Sequence, residues 1–219
     1  MPAGAIARHL VARLDDELVL ITSDAPGIAV SNLAAAPLAD RSLSPSDGAR
    51  TTIARGNDVT RVYAHALDEW RALTAAALVG LARGALELGC TYVTEREQFG
   101  VPIGSFQAIQ HTLAELSVAL DGAQLLARKA AWAIDQRRGD ASTLASYAFL
   151  FAAEQAQRVT ERVLHFHGGY GYMQEYDIQL FYRRAKGWPL VLDAPSHEYA
   201  RLATERFGQA RASATKTGA

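Results

Sequence analysis

Hydrophobic and polar positions change their rhythm near residue 60. Before it, two short runs rich in Leu, Val and Ile, His9–Leu14 and Leu18–Thr22, flank Asp15-Asp16-Glu17 and predict a β-hairpin. Asp24-Ala-Pro-Gly27 reads as a further turn, with Ile28-Ala29-Val30 as a strand-like run after it. From about Asp58 the period becomes helical and stays so. Leu67 to Thr94 predicts a helix crowded with Ala75, Ala76, Ala77, Gly80, Gly84 and Gly89, small residues that permit close packing although glycine costs helix propensity. Phe106, Ile109, Leu113, Leu116, Leu120, Ala123, Ala127, Ala130 and Ile134 then step by three and four along one face. They predict a single long helix from an N-capping Ser105 to Arg137-Arg138-Gly139. Asp140 is the expected cap of the next helix, Ala141–Phe166, whose seam runs Ala145, Ala148, Ala152, Ala156, Val159, Val163. A last helix is expected from Pro195-Ser196 to about Arg206, with a flexible tail over 210–219.

The fold class expected is mainly α: an antiparallel four-helix bundle over residues 58–209, preceded over residues 1–57 by a short β-rich remnant. At 1.5 Å per residue the two longest helices would run roughly 50 and 40 Å. A short reversal between them brings Arg96–Gln107 and His165–Tyr172 to the same end of the bundle.

Composition and charge narrow the function. The 219 residues are 49% hydrophobic and 21% charged, an ordinary globular balance. The formal net charge of −1 gives none of the basic footprint that nucleic-acid binding needs. A single cysteine, Cys90, allows no internal disulfide or multi-cysteine zinc site and suits a reducing cytoplasm. The apolar stretch Ala72–Ala82 is too short for a membrane span, and none is expected.

Two segments carry candidate chemistry. Arg96-Glu-Gln-Phe-Gly100 followed by Phe106-Gln107 reads either as a helix C-cap with a core phenylalanine or as an anion and ring clamp. In the second reading Arg96 offers a planar fork for phosphate oxygens and Phe99 offers a ring face. His165-Phe-His-Gly168-Gly169-Tyr-Gly-Tyr172 reads either as a glycine cap and tight turn or as bare backbone open to a nucleotide. Glu161 and His165 share a helix face without a second carboxylate–histidine set, which reads as a surface pair. Ser196-His197-Glu198 is contiguous and so makes no triad by itself. Trp70, Trp132 and Trp188 read as packing residues.

Arg96-Glu-Gln-Phe-Gly-Val-Pro-Ile-Gly-Ser-Phe-Gln-Ala-Ile-Gln110 with Ala114-Glu115 resembles the C-terminal signature of the acyl-CoA dehydrogenases. His167-Gly-Gly-Tyr-Gly-Tyr172, Glu175-Tyr176 and Tyr182-Arg-Arg-Ala-Lys186 resemble that family's second signature, and Leu67-Asp68, Arg71 and Val79-Gly-Leu81 fit its first bundle helix. The resemblance covers roughly residues 10–207 and implies a chain that starts inside the family's middle β-domain. It implies FAD-dependent α,β-dehydrogenation of an acyl-CoA thioester, with electrons passed to an electron-transfer flavoprotein. By position, Arg96 and Gln98 would meet the FAD pyrophosphate, Phe99, Phe106 and Gln107 the adenosine side, and Gly168 and Gly169 the adenine end, in a site shared with a neighbouring subunit. A homo- or hetero-oligomer, dimer or tetramer, is implied with it.

Some positions depart from the family pattern. The usual catalytic glutamate lies in a Tyr-Glu-Gly-Thr stretch, and the matching stretch here is Leu190-Val-Leu-Asp-Ala-Pro-Ser196. Asp193 is the candidate base, one methylene shorter, with a turn-capping aspartate as the alternative reading. Where some relatives carry the base on the first bundle helix this chain has Trp70, and the adjacent Glu69 would face about 100° away. His165 stands where glutamine is common, a further cofactor-side position, and Arg184 replaces an aspartate. The alternative function is a non-catalytic FAD-clamping subunit of a hetero-oligomer, or an inactive truncated member.

Overall fold

The computed structural model describes residues 1–44 and 48–208, so the expected tail over 210–219 lies outside the described residues. The chain opens with a three-stranded antiparallel sheet in the order β1 (His9–Leu14), β2 (Glu17–Thr22), β3 (Ala49–Arg55). The β1–β2 hairpin forms where the alternation predicts it, with Leu14 opposite Glu17 and Asp15 taking the positive φ of the tight turn. Leu10, Ala12, Val19 and Ile21 make its small core.

Two strand readings need correction. Ile28-Ala29-Val30 joins no ladder, and Ile28 is largely exposed. The third strand is instead Ala49–Arg55, none of whose residues is buried. Backbone pairing to β2 holds it, and Glu17 braces it by accepting from Arg50 at 2.7 Å and Arg55 at 2.9 Å. A strand with no apolar face leaves no alternation to read.

The bundle follows. Helix α1 runs Asn57–Glu95, ten residues longer at its start than the apolar pattern suggested. Those first turns are mostly polar, with Val59 fully buried as their anchor. Helix α2 (Gln107–Asp135) and helix α3 (Ala141–Phe166) return antiparallel, and their expected seams are buried: Leu116, Leu120, Ala123, Ala127 and Ala130 against Ala145, Ala148, Ala152, Ala156, Val159 and Val163. Helix α1 packs so closely on α3 that a Cβ on Gly89 would stand 2.8 Å from Val163.

The caps differ from expectation. Phe106, not Ser105, caps α2, because the Ser105 hydroxyl donates to the Pro102 carbonyl at 2.7 Å. The α2–α3 reversal uses Arg137 at φ +50 instead of Gly139, with Arg138 N–H donating to Ala133 and Arg137 N–H to Ile134, a Schellman end. Asp140 caps α3 by backbone position only, since its carboxylate accepts from Arg138 at 2.8 Å.

A short helix, α4 (Ile178–Gly187), was not expected; Ile178 and Ala185 bury it, and Phe181 fills the space above Gly84. Its Arg183 donates to the Leu33 carbonyl at 2.9 Å, tying the bundle to the N-terminal segment. Helix α5 starts at Pro195 as expected but ends at Ala203, before a π-turn over Thr204–Gly208. Trp70 and Trp188 do pack, whereas Trp132 is half exposed on the outer face of α2 under the Arg138 guanidinium. An 18-residue window of α1 is apolar enough, by length and composition, to cross a membrane, which the shorter stretch Ala72–Ala82 does not reveal; α1 is here the helix on which α2 and α3 pack.

Candidate functional site

Helix α1 ends at Glu95, and the Arg96 N–H still reaches back to the Tyr92 carbonyl at 2.9 Å. A two-residue hairpin follows, β4 (Glu97–Gln98) against β5 (Val101–Pro102), with Gln98 opposite Val101. Its turn residues, Phe99 at φ +55 and Gly100 at φ +79, take the left-handed conformation that a tight hairpin turn demands. For a phenylalanine that conformation is strained. It holds the Phe99 ring 94% exposed at the tip, edge-on to Phe106 at 6.2 Å. Gly104 seats the hairpin against α1, because a Cβ there would stand 2.9 Å from the Val93 carbonyl.

The glycine-rich segment arrives at the same end. His167, at the end of α3, is buried; its Nδ1 donates to the Val163 carbonyl at 2.8 Å and its ring stacks on Tyr92 at 3.9 Å. Gly168 takes φ +60, and residues Gly168–Tyr172 form one 3-10 turn instead of a simple reversal. No atom lies within 4 Å of where a side chain on Gly168 or Gly169 would begin, so both present open backbone. Gly171 is the one that packing requires, since a Cβ there would meet the Leu164 carbonyl at 2.7 Å. The Arg96 guanidinium lies over the Tyr170 ring at 5.9 Å, which joins the hairpin to the glycine turn.

Arg96 over Tyr170 and Phe99 edge-on to Phe106 thus make two exposed pairs at the same end of the bundle. Gln107 opens α2 beside Phe106, while the Gln98 amide turns back to the Glu97 carbonyl at 2.7 Å. His165, Gly168 and Gly169 border a cleft of about 300 Å³ with Glu161, Tyr172 and Tyr182. Glu161 and His165 thus edge that cleft together.

Asp193 lies elsewhere, just before α5, on a cleft of about 260 Å³ walled by Trp70, Tyr63, Leu67 and Phe149. Its Oδ1 accepts from the Ala194 N–H at 2.8 Å and from His197 Nδ1 at 2.7 Å. The His197 hydrogen bond, then the Ala194 amide, holds this exposed carboxyl below the usual carboxylate range. The two positions singled out for a base, Trp70 and Asp193, border one cleft; Glu69 turns outward and pairs with His65 at 3.3 Å.

Sequence reasoning set Glu198 aside as part of a contiguous Ser196-His197-Glu198 and gave it no role, but it edges the same cleft and is 11% exposed. It accepts from Arg71 of α1 at 3.0 Å and from both faces of the Arg201 fork at 2.7 and 3.1 Å. Arg201 also donates to Ser146 of α3 at 2.6 Å, and Arg71 to Asp68 at 2.8 Å. Burial pushes the Glu198 carboxyl up, but the Arg201 and Ser146 hydrogen bonds and the Arg71 charge outweigh it, and the net shift is downward. Arg71 and Glu198 stand 127 positions apart, so no local spacing could have paired them.

Residues 60–191 match the family model described as acyl-CoA dehydrogenase, C-terminal domain. A probable acyl-CoA dehydrogenase of Bacillus subtilis is 44% identical over 124 residues, 57% of this chain and 32% of that protein. A glutaryl-CoA dehydrogenase of Desulfococcus multivorans is 36% identical over 175 residues, 76% of this chain and 44% of that protein. Among solved structures, a steroid ACAD variant superposes with a TM-score of 0.79 at 29% identity, over 96% of this chain and 58% of that one. The ChsE4–ChsE5 complex from Mycobacterium tuberculosis gives 0.74 at 26%, over 93% of this chain and 57% of the other. The chain spans less than half the length of the two curated relatives and under two thirds of these solved chains. By its matched domain and its helical architecture, the chain belongs to the acyl-CoA dehydrogenase family.

Proposed function

We propose that residues 58–209 supply the flavin-clamping bundle of an acyl-CoA dehydrogenase, with residues 1–57 belonging to its β-domain. The activity is FAD-dependent α,β-dehydrogenation of an acyl-CoA thioester, with electrons leaving to an electron-transfer flavoprotein. The convergence of Arg96, Phe99, Phe106 and Tyr170 at one bundle end carries this reading. A planar cation beside exposed rings, next to open glycine backbone, fits a dinucleotide's pyrophosphate and adenine.

Arg96 and Gln98 would hold the pyrophosphate, Phe99, Phe106 and Gln107 the adenosine, and His165, Gly168 and Gly169 the adenine end, across a subunit boundary. FAD supplies the redox chemistry, taking up two electrons with the β-hydrogen. This chain's own contribution to the reaction is positional and acid–base. Tyr63, Trp70 and Phe149 give the cleft that Asp193 edges an aromatic wall for the acyl group. Both hydrogen bonds to Asp193 fall on Oδ1, which leaves Oδ2 to receive the α-proton. The lone exposed Cys90 suits a cytoplasmic setting.

One observation favours the alternative of a non-catalytic clamping subunit in a hetero-oligomer. Asp193 is a weakened base, with His197 and the Ala194 amide stabilising its charged form. Asp193→Ala separates the two readings. In a flavin-loaded preparation that dehydrogenates acyl-CoA, the catalytic reading predicts a loss of about a hundredfold or more, the scale at stake in positioned proton transfer. Unchanged turnover assigns proton removal to another group.

A further inference from the structure

We infer that the acyl group taken by this chain carries a bulky ring, alicyclic or aromatic, in place of a straight hydrocarbon chain, and that Trp70 sets that preference. The inference rests on the dehydrogenase reading of the Asp193 cleft and adds a substrate class to it. Trp70 of α1 borders two hollows. One is the Asp193 cleft of about 260 Å³, where Tyr63, Leu67 and Trp70 rise from one face of α1, four and three residues apart. The other, of about 340 Å³, is lined by Leu73, Thr74, Ala77, Trp188 and Val191. No charged residue among those described borders this second hollow. Both indole walls are held in place. Phe149, 3% exposed, lies against the Trp70 ring at 5.3 Å and a tilt of 50°. The Arg184 guanidinium covers the Trp188 ring at 5.9 Å.

Flat, fixed walls suit a flat, fixed ligand. An indole face offers a ring a broad contact in a preferred orientation. A ring brings most of its surface to such a wall without freezing internal rotations. A straight chain of equal carbon number must fix bond after bond to make the same contact. The polar groups set the direction of entry. Asp193 edges the first cleft with both of its hydrogen bonds on Oδ1, and Arg71, the arginine that borders the same cleft, is committed to Asp68 and Glu198. A polypeptide laid over this face would have to bring a donor for Oδ2 or leave it desolvated. An acyl group entering with its carbonyl end toward Asp193 brings the hydrogen that this carboxylate would take. Its β-carbon substituent then lies over Trp70 and reaches Leu73, an apolar side chain 71% exposed. Thr74 and Ala77 are the small residues that leave room for it.

The test compares two thioesters of equal carbon number, 3-cyclohexylpropanoyl-CoA and nonanoyl-CoA, and needs no flavin. Their affinities for the 219-residue chain are measured by isothermal titration calorimetry. The ring thioester should bind tighter by about fivefold or more, the scale of a specific ring contact. Trp70→Ala should erase that difference, and Trp70→Phe should keep part of it. Circular dichroism at wild-type amplitude certifies that each variant folds. Equal affinities, tighter binding of nonanoyl-CoA, or a preference that survives Trp70→Ala overturns the inference and leaves the dehydrogenase reading standing. A folded chain that binds neither thioester, whether alone or because another polypeptide takes this face, also overturns it. An FAD titration of the same chain then shows whether the flavin-clamp reading falls with it.

Discussion

Glu198 joins three helices through one carboxylate. It takes Arg71 from α1 and Arg201 within α5, while Arg201 reaches Ser146 of α3. Short α5 buries only Leu202, so this polar joint is what docks it and sets the height of Asp193 on its cleft. Removing one member of such a pair costs more than the pair contributes, because the partners stay desolvated. Glu198→Gln should therefore lower stability by about 1–3 kcal/mol, measured by urea unfolding. The pH dependence has a definite sign. The Glu198 carboxyl binds its proton less readily folded than unfolded, so the unfolded chain takes up more protons as pH falls. Its contribution is complete above the ordinary glutamate value near pH ~4.3 and drains away as pH drops through the lower folded value. The wild-type midpoint should thus fall more steeply than that of Glu198→Gln as pH is taken from about 5 toward 3. Parallel curves would remove Glu198 from this role.

At the scale of elements, glycines that look alike in sequence separate by surroundings. Gly89 faces Val163 across the α1–α3 contact, where a Cβ would stand 2.8 Å away, whereas Gly80 on the same helix has open space. Gly89→Ala should destabilise by about 1–3 kcal/mol as α1 and α3 are pushed apart. Gly80→Ala should stabilise by up to about 1 kcal/mol through helix propensity alone. Thermal unfolding of the two variants checks both signs. The long elements were legible because burial imposes a period: the α2 and α3 seams lie in the core nearly residue for residue. Strand β3 was not legible, because backbone bonds and Glu17 hold it instead of an apolar face. Helix α4 was hidden because Ile178 and Ala185, seven apart, are its only buried residues. The caps at Phe106 and Arg137 were missed because Ser105 and Gly139 fit the usual rules, yet the Ser105 hydroxyl engages Pro102 and the left-handed residue falls at Arg137.

For the whole molecule, antiparallel helix reversal is what brings Arg96 beside Tyr170, although 74 positions separate them. The convergence of those two segments followed from helix length and could be read in the sequence. The strained Phe99 tip and the three-helix joint at Glu198 could not, since each depends on backbone geometry or a long-range partner. The bundle also presents chemistry at two separate places, a cationic aromatic end and an aromatic cleft edged by Asp193 and Glu198. The proposed function requires that the first of these grip a flavin dinucleotide. Its most direct test is an equilibrium titration of FAD with the 219-residue chain, followed by flavin fluorescence anisotropy, beside the same titration of Arg96→Ala. Saturable binding by the wild type, weakened about tenfold or more by loss of a charge-assisted contact, is the result predicted. No saturable binding by a folded chain, or equal affinity in Arg96→Ala, would contradict it.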